Sequence, residues 1–199
     1  MAWKLALSLL LGYLLGSVMI GVALTKLFFG GDVREQGSGN AGATNVARVF
    51  GWKAGLFTLL GDALKTAAAM LLGRLLAGMG GETAAAFGCL LGHCFPVFFH
   101  FKGGKAVSVS AAIGLIYSRK LFLMLLVAFF LMFLLTRRVS VCSMSAAVVF
   151  PLGMLSVGGF PWYAVALGCF ITVFVMFMHR ANIERLLKGT EPEFRFGKK

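Results

Sequence analysis

Apolar runs long enough to cross a membrane constrain this chain more than any other feature. Hydrophobic residues make up 59% of its 199 residues, whereas soluble domains contain about 45–50%. A helix needs about 20 apolar residues to span a bilayer, with about 17–25 tolerated. The first run, Leu5–Leu24, also carries Gly12, Gly16 and Ser17, small residues that suit close helix packing. The chain is therefore expected to be an integral membrane protein.

The pattern of apolar runs predicts an all-α, polytopic membrane protein with seven transmembrane helices, in one domain covering residues 1–199. Met1–Lys4 before the first run mimics a signal peptide, but no small-residue cleavage site follows, so this run is interpreted as a membrane helix. A polar, glycine-rich loop (Lys26–Phe50) and a turn (Gly78–Glu82) separate the first three runs. The predicted spans are Leu5–Leu24, Gly51–Leu76, Ala84–Phe99, Val107–Tyr117, Leu121–Leu135, Val139–Val157 and Trp162–Met178.

The basic residues predict the orientation. Cytoplasmic loops of membrane proteins carry an excess of Lys and Arg. With seven spans, one side receives fourteen basic residues, six of them in the tail, and the other receives Lys4, Arg74, Arg119 and Lys120. The N-terminus is therefore expected outside and the C-terminus in the cytoplasm. The net charge of +12 lies mainly in short loops, which favours anionic lipids and small anions as partners over nucleic acid.

Two glycine-rich, basic segments point to phosphate chemistry. The second reads Gly92-His93-Cys94-Phe95-Pro96, then Phe101-Lys102-Gly103-Gly104-Lys105. The first runs from Gly37 to Arg48 and holds three glycines, two asparagines, Ser38 and Thr44. Cations beside unshielded backbone N–H groups are what a phosphate requires. Short basic or flexible turns on the cytoplasmic face are the alternative interpretation of each segment.

Other polar residues have structural explanations at this point. Asp62 and Lys65 lie three residues apart on one helix face and are expected to neutralise each other. Ser140 and Ser143 are expected to bond to their own backbone. The tail, His179–Lys199, predicts a short amphipathic helix. The four cysteines (Cys89, Cys94, Cys142 and Cys169) lie in apolar runs and are expected to be small buried residues, and no metal-ligand spacing is found.

Taken together, three segments resemble the bacterial acyl-phosphate:glycerol-3-phosphate acyltransferases. They are Gly-Ser-Gly-Asn-x-Gly-Ala-Thr-Asn from Gly37, then Gly-His-x-Phe-Pro with Phe-Lys-Gly-Gly-Lys, then His-Arg-x-Asn-Ile-x-Arg-Leu-Leu from His179. The resemblance covers nearly the whole chain, including seven spans with the N-terminus outside. One departure is Ala106, where the family usually carries glycine, and only a slightly stiffer loop is expected.

The resemblance implies that the protein transfers a fatty acyl group from acyl-phosphate to the 1-hydroxyl of sn-glycerol 3-phosphate. The products would be lysophosphatidic acid and phosphate, in the first acylation of phospholipid synthesis, at the cytoplasmic face of the bacterial inner membrane and without a cofactor. His93 and Asn182 are the implied catalytic residues, His93 either as a base or as an orienting group while a substrate phosphate takes the proton. The implied substrate- and phosphate-binding residues, together with those that shape the two loops, are Ser38, Gly39, Asn40, Arg48, Gly103, Gly104, Lys105 and Ser143.

Other chemistries fit less well. Neither His-x-x-x-x-Asp after His93 nor a Gly-x-Ser-x-Gly elbow occurs, so direct transfer without an acyl-enzyme is expected. The rival function is a carrier or channel for phosphorylated metabolites. Against it, the polar segments are predicted on one membrane face and no half of the chain is duplicated. A purely structural membrane protein would leave the three segments unexplained. The oligomeric state stays open, and a monomer is compatible with the sequence.

Overall fold

The computed structural model describes residues 1–194, which are all-helical and contain no strand. Arg195, Lys198 and Lys199, three of the basic tail residues counted above, lie outside the described residues. Compactness divides the chain into two units, Met1–Ile113 and Gly114 onward. The helices are α1 (Ala2–Gly16), α2 (Ile20–Phe29), α3 (Ala43–Phe50), α4 (Trp52–Cys94), α5 (Val107–Tyr117), α6 (Arg119–Thr136), α7 (Val139–Val157), α8 (Trp162–Met178) and α9 (Arg180–Leu187), with short 3₁₀ turns at Val33–Glu35 and Val97–Phe99.

The first predicted span is broken between α1 and α2. Met19 has extended backbone dihedrals, so the helix stops after Gly16 and restarts at Ile20. The carbonyls of Gly16 and Val18 accept hydrogen bonds from the Lys65 ammonium at 3.0 and 2.7 Å. Because a carbonyl freed at membrane depth must find a donor inside the protein, this lysine makes the break possible.

α4 is a helical hairpin. The backbone dihedrals leave the helical region at Ala77 and Gly78. Gly78 has φ +59°, a left-handed conformation that glycine adopts without a Cβ clash. The two arms, residues 52–76 and 79–94, run antiparallel, since Thr66 lies 3.6 Å from Cys89 and a Cβ on Gly81 would overlap the Gly73 carbonyl. The reversal is shorter than the turn predicted at Gly78–Glu82.

Glycines let α1 pack directly against the second arm of α4. A Cβ on Gly12 would overlap the carbonyl of Ala85, and one on Gly16 that of Cys89. The contact is reciprocal, because a Cβ on Gly88 or Gly92 would overlap a carbonyl of α1. Backbone-to-backbone approach through small residues is the usual packing device of membrane helices. The predicted packing role of Gly12 and Gly16 is confirmed.

In the second unit, α7 packs against α6 and α8. Pro151 lies inside α7 and cannot donate a backbone hydrogen bond, which leaves the carbonyl four residues earlier without its helical partner. That carbonyl belongs to Ala147, and the Thr172 hydroxyl of α8 donates to it at 2.6 Å. The kink is therefore satisfied by a neighbouring helix, as the bilayer interior requires.

Within the described residues, four helical segments are long and apolar enough to cross a membrane, or five if α8 and α9, bent by 57°, form one broken span. One of the four, Trp52–Phe99, contains both arms of the α4 hairpin. The 11-residue α5 rises only about 16 Å, against a hydrocarbon core of about 30 Å. An all-helical membrane protein is confirmed, whereas seven spans and their orientation stay a prediction, as does the single domain.

Candidate active site

Asn45 organises the first glycine-rich loop. The nitrogen of its buried side-chain amide lies 3.1, 2.9 and 3.0 Å from the carbonyls of Val33, Gln36 and Asn40, which share its two N–H donors. Its oxygen accepts from the backbone N–H of Ser38 at 2.9 Å. This one side chain therefore supplies hydrogen-bond partners for four backbone groups of the loop that have no partner in a helix or sheet. The loop has a defined fold despite its flexible composition.

The predicted binding residues of this loop lie around that centre. Ser38 and Gly39 are exposed, and Gly39 adopts φ +70°. The Asn40 side chain accepts from the N–H of Gly42 at 2.9 Å, just before α3 begins. Arg48 is exposed on α3, with its guanidinium 3.4 Å from the Asn45 oxygen. The prediction that residues 26–50 are a loop was wrong at both ends. Residues 26–29 continue α2, and residues 43–50 form α3, whose apolar positions pack on α4.

The second loop follows α4 and is held against its end. The N–H of Gly104 donates to the His93 carbonyl at 2.9 Å. A Cβ on Gly103 would overlap that carbonyl, and one on Gly104 would overlap the His93 ring. Lys105, which is half-buried, follows directly. Both glycines are therefore needed for close approach of backbone to backbone and ring.

Non-glycine residues in left-handed conformations flank this loop. His100, Phe101 and Ala106 have φ of +58°, +59° and +63°. Such a conformation costs an L-residue roughly 1–2 kcal/mol, and strain of this kind clusters at functional sites. At the buried Ala106 a glycine would avoid this cost. The alanine found here in place of the family's usual glycine therefore strains the backbone, in addition to the expected stiffening of the loop.

Arg34 joins the two loops. Its guanidinium donates to the carbonyls of Phe99 and Lys102 at 3.1 and 3.2 Å. Asp32 orients it through an ion pair of 2.7 Å, and Lys26 lies 3.3 Å from the same carboxylate. The hydrogen bond from Arg34 outweighs partial burial and holds the pKa of Asp32 well below its usual range. The carboxylate therefore stays ionised throughout the physiological pH range.

His93 lies at the end of α4 and is 1% exposed. Its Nδ1 is 3.1 Å from the Lys65 ammonium and 3.6 Å from an Asp62 oxygen. The predicted Asp62–Lys65 pair is confirmed at 2.9 Å, and Ser108 donates to the other Asp62 oxygen at 2.8 Å. The structure thus gathers His93 with two charged residues that were interpreted as a self-contained pair.

In the second unit, Glu191 fixes Asn182. Its carboxylate accepts from Asn182, Arg185 and Ser140 at 2.7, 2.7 and 2.6 Å. Ser140 therefore does not bond to its own backbone as predicted, whereas Ser143 does, donating to the Val139 carbonyl at 2.8 Å. The tail helix is confirmed as α9, and its contact with α7 through Glu191 was not foreseen.

We expect Glu191→Gln to remove an acid-sensitive contribution to stability. Burial opposes its ionisation, but hydrogen bonds from Ser140, Asn182 and Arg185 outweigh burial and hold the pKa of Glu191 below its usual value. A carboxylate whose pKa is lower in the folded than in the unfolded protein stabilises the fold at any pH above its unfolded pKa of about 4.3. This stabilisation is lost as the pH falls through the pKa of the folded state. Thermal unfolding in detergent between about pH 6 and 3 should show that the stability of the wild type falls more steeply with decreasing pH than that of the variant.

The matched control is Glu184→Gln, since Glu184 is an exposed carboxylate of α9 that pairs with Lys188 at the end of that helix. It should leave the stability nearly unchanged at neutral pH, because exposed pairs contribute about 0–1 kcal/mol. Glu191→Gln should be less stable than Glu184→Gln at neutral pH, because the new amide N–H₂ faces the Arg185 donor. Equal unfolding curves for both variants would contradict the role of Glu191.

Sequence reasoning missed Arg34, Asn45 and Glu191. Asn45 and Arg34 were noted only as members of a polar loop, and their partners lie up to 68 residues away. The available signal was the presence of a carboxylate, an amide and a guanidinium in loops that adjoin apolar runs.

The prediction that all four cysteines are buried was wrong for Cys169, which is exposed on α8. All four are free thiols.

A family model described as glycerol-3-phosphate acyltransferase matches residues 6–189. The chain belongs to this family. The glycerol-3-phosphate acyltransferase of Enterococcus faecalis is 41% identical over 98% of the chain and 94% of its own length. That of Bacillus subtilis is 39% identical over 96% of the chain and 98% of its own length. The predicted family and enzyme class, an acyltransferase, are thereby confirmed.

Solved structures agree with the family assignment. The crystal structure of PlsY, an integral membrane glycerol 3-phosphate acyltransferase, in its glycerol 3-phosphate form is 35% identical, with a TM-score of 0.89 over 96% of both chains. Its lysophosphatidic acid form is 34% identical, with a TM-score of 0.87 over 96% of this chain and 95% of that one. The helices and loops described above are therefore those of a membrane-integral acyltransferase.

Proposed function

We propose that the protein transfers a fatty acyl group from acyl-phosphate to the 1-hydroxyl of sn-glycerol 3-phosphate. The hydroxyl oxygen forms the new ester bond as the acyl–phosphate bond breaks, the hydroxyl proton passes to a substrate phosphate, and phosphate and lysophosphatidic acid leave. The family and the two liganded forms of a solved relative support glycerol 3-phosphate as the acceptor. Acyl-phosphate as the donor rests on the resemblance of the three sequence segments and on the presence of two loops suited to phosphate.

The contact of Arg34 with both loops carries this proposal. The Arg34 guanidinium, three residues before the first glycine-rich segment, donates to carbonyls of Phe99 and Lys102 beside the second and is oriented by Asp32. Each glycine-rich segment ends on a cationic residue, the exposed Arg48 on α3 and the half-buried Lys105 after Gly103 and Gly104. Both substrates of the proposed reaction carry phosphate, and amide N–H groups beside a cation bind phosphate well.

The proposed roles follow the sequence analysis. In the first unit, Ser38, Arg48 and Lys105 bind phosphate, Gly39 and Asn40 shape the first loop, and Gly103 and Gly104 the second. In the second unit, Ser143 and Asn182 contact substrate, and Glu191 positions Asn182 by accepting a hydrogen bond from its amide N–H₂. No cofactor is proposed.

Purified enzyme in detergent or nanodiscs tests the function directly. Acyl-phosphate and glycerol 3-phosphate should yield phosphate and lysophosphatidic acid in equal amounts. Omitting glycerol 3-phosphate distinguishes transfer from hydrolysis, and acyl-CoA replaces the donor in a second arm. Efficient turnover with acyl-CoA, or equal phosphate release without glycerol 3-phosphate, would refute the proposed donor or the proposed transfer.

Arg48→Ala and Lys105→Ala should each lower kcat/KM by about ten- to hundredfold. A hydrogen bond to a charged group contributes about 1.5–3 kcal/mol, and each ~1.4 kcal/mol is a factor of ten. Arg48→Lys should also be impaired, since lysine cannot make two parallel N–H bonds to phosphate. Lys53→Ala is the control, because Lys53 is exposed beside Trp52 at the start of α4. Near-normal turnover of both alanine variants at low substrate would refute the two-loop scheme.

We propose seven spans with the N-terminus outside and the substrate-binding loops in the cytoplasm. In this topology the two arms of α4 cross the membrane separately. Single cysteines at Lys4, Lys53 and Lys188, in a background without the four native cysteines, should react from different sides with an impermeant thiol reagent. We expect labelling of Lys4→Cys from outside intact cells, and of Lys53→Cys and Lys188→Cys only after permeabilisation. Labelling of Lys4→Cys and Lys188→Cys from the same side would exclude an odd number of spans.

A further inference from the structure

A charged pair is buried between helices of the first unit, next to His93 at the end of α4. Asp62 and Lys65 are 1% and 7% exposed and lie on the first arm of α4. Buried charges of a membrane protein are costly and are retained where they do specific work. Replacing such a pair by apolar residues often leaves stability unchanged or improves it. Neutralisation alone therefore does not explain why this pair is present.

The Lys65 ammonium has more acceptors around it than protons. It reaches the carbonyls of Gly16 and Val18, the Nδ1 of His93 and an oxygen of Asp62, all within 3.1 Å. An ammonium has three N–H donors and no acceptor. The two carbonyls and Nδ1 use these three donors, which is why this Asp62 oxygen makes an ion pair without a hydrogen bond.

This arrangement determines where the proton of His93 lies. Because Lys65 can only donate, Nδ1 must be the accepting, unprotonated nitrogen. The nearest Asp62 oxygen, at 3.6 Å, is too far to accept a hydrogen bond from Nδ1. The neutral imidazole consequently carries its proton on Nε2. A nitrogen that already holds the proton cannot take one from a substrate hydroxyl.

The protonated side of the ring faces the second glycine-rich loop. A Cβ on Gly104 would overlap Nε2, so no side chain separates the ring from this backbone. The His93 carbonyl also accepts the Gly104 N–H at 2.9 Å. His93 thus contacts Lys65 on one side and the loop that carries Lys105 on the other.

We infer that Asp62 and Lys65 are positioning residues that act through His93. Lys65 fixes the Nε2-protonated tautomer and the ring orientation, Asp62 and Ser108 hold Lys65 in place, and the ring supports the backbone of Gly103 and Gly104. His93 in this scheme is a positioning residue and not a general base. The inference deepens the proposed function, on which its kinetic consequences rest, while the tautomer itself is independent of that function.

Nitrogen-15 NMR of the histidine rings in micelles tests the tautomer without any assay of activity. At neutral pH, the His93 resonances, assigned by their loss in His93→Asn, should show an unprotonated Nδ1 and a protonated Nε2. The double variant Asp62→Asn/Lys65→Met removes both charges together and should lose this preference. Glu82→Gln is the matched control, since Glu82 is a buried carboxylate near the other end of the same hairpin, paired with Arg74. A protonated Nδ1 in the wild type, or an unchanged tautomer in the double variant, would overturn the inference.

Two substitutions of His93 separate positioning from base catalysis. Asparagine can still accept from Lys65 through its side-chain oxygen but cannot act as a base, whereas leucine does neither. We expect His93→Asn to keep kcat within about tenfold of the wild type and His93→Leu to raise KM for glycerol 3-phosphate more strongly. If His93 were a base, both variants would lose about 10²–10⁴-fold in kcat, and the inference would fail. A wild type that folds with the expected tautomer but transfers no acyl group would refute only the proposed function.

Discussion

Gly103→Ala is expected to lower kcat/KM by at least about a hundredfold. A Cβ at this position would overlap the His93 carbonyl and approach the Pro96 ring at 2.7 Å and the Cys94 carbonyl at 2.9 Å. Two of these three neighbours are backbone atoms at the end of α4, and the third belongs to a rigid proline ring. None can move aside cheaply, so the loop itself must shift. A displacement of about 1 Å of groups that position a substrate can cost about 10²-fold in rate.

The same substitution should destabilise the protein less than it impairs catalysis. Inserting a methyl group into a packed site costs typically about 1–3 kcal/mol, and thermal unfolding in detergent should report a loss of that order. Gly31→Ala is the control, since its Cβ would meet only the flexible end of Gln36 at 3.3 Å. The control should change stability by no more than about 0.5 kcal/mol, as is usual at surface positions. If Gly103→Ala retains turnover like that of Gly31→Ala, the close approach at Gly103 does not position the loop.

Features governed by local pattern were predictable from the sequence. The helices between residues 107 and 178 begin and end within about two residues of their apolar runs, because hydropathy over such a length determines membrane insertion. Gly12 and Gly16 could be assigned to helix packing, and Asp62 and Lys65 to one face, because both conclusions follow from helical spacing. The resemblance of three segments was enough to predict the family.

Features governed by contacts between distant residues were not predictable. The break at residues 17–19 depends on an ammonium 47 residues further along the chain. The Arg34 contact to the second loop and the Glu191 contact to Ser140 each join segments that no periodicity relates. The sequence presents Lys65 and His93 28 residues apart, and only the antiparallel hairpin of α4 brings them together. The short α3 was missed because its eight residues are too few for a strong periodic signal.

Asn45→Asp is expected to unfold the first loop although aspartate has nearly the same shape as asparagine. The two N–H donors of the Asn45 amide are shared among three carbonyls, and its oxygen accepts from the Ser38 N–H. Aspartate keeps the acceptor but directs a carboxylate oxygen at the carbonyls of Val33, Gln36 and Asn40. Each buried polar group left without a partner costs about 1–3 kcal/mol, and like partial charges add repulsion.

The expected result is a loss of several kcal/mol in stability and of nearly all turnover, because Ser38, Asn40 and Arg48 depend on this loop for their positions. Asn45→Ala should be damaging for the same reason but less so than Asn45→Asp, since it removes the hydrogen bonds without adding a charge. Gln36→Ala is the matched control, because its backbone carbonyl and not its side chain takes part in the network. Limited proteolysis between residues 36 and 42, with thermal unfolding and turnover, separates the variants. Asn45→Asp with a protected loop and wild-type turnover would show that the amide donors do not hold the loop, and the assignment of Asn45 as its centre would be wrong.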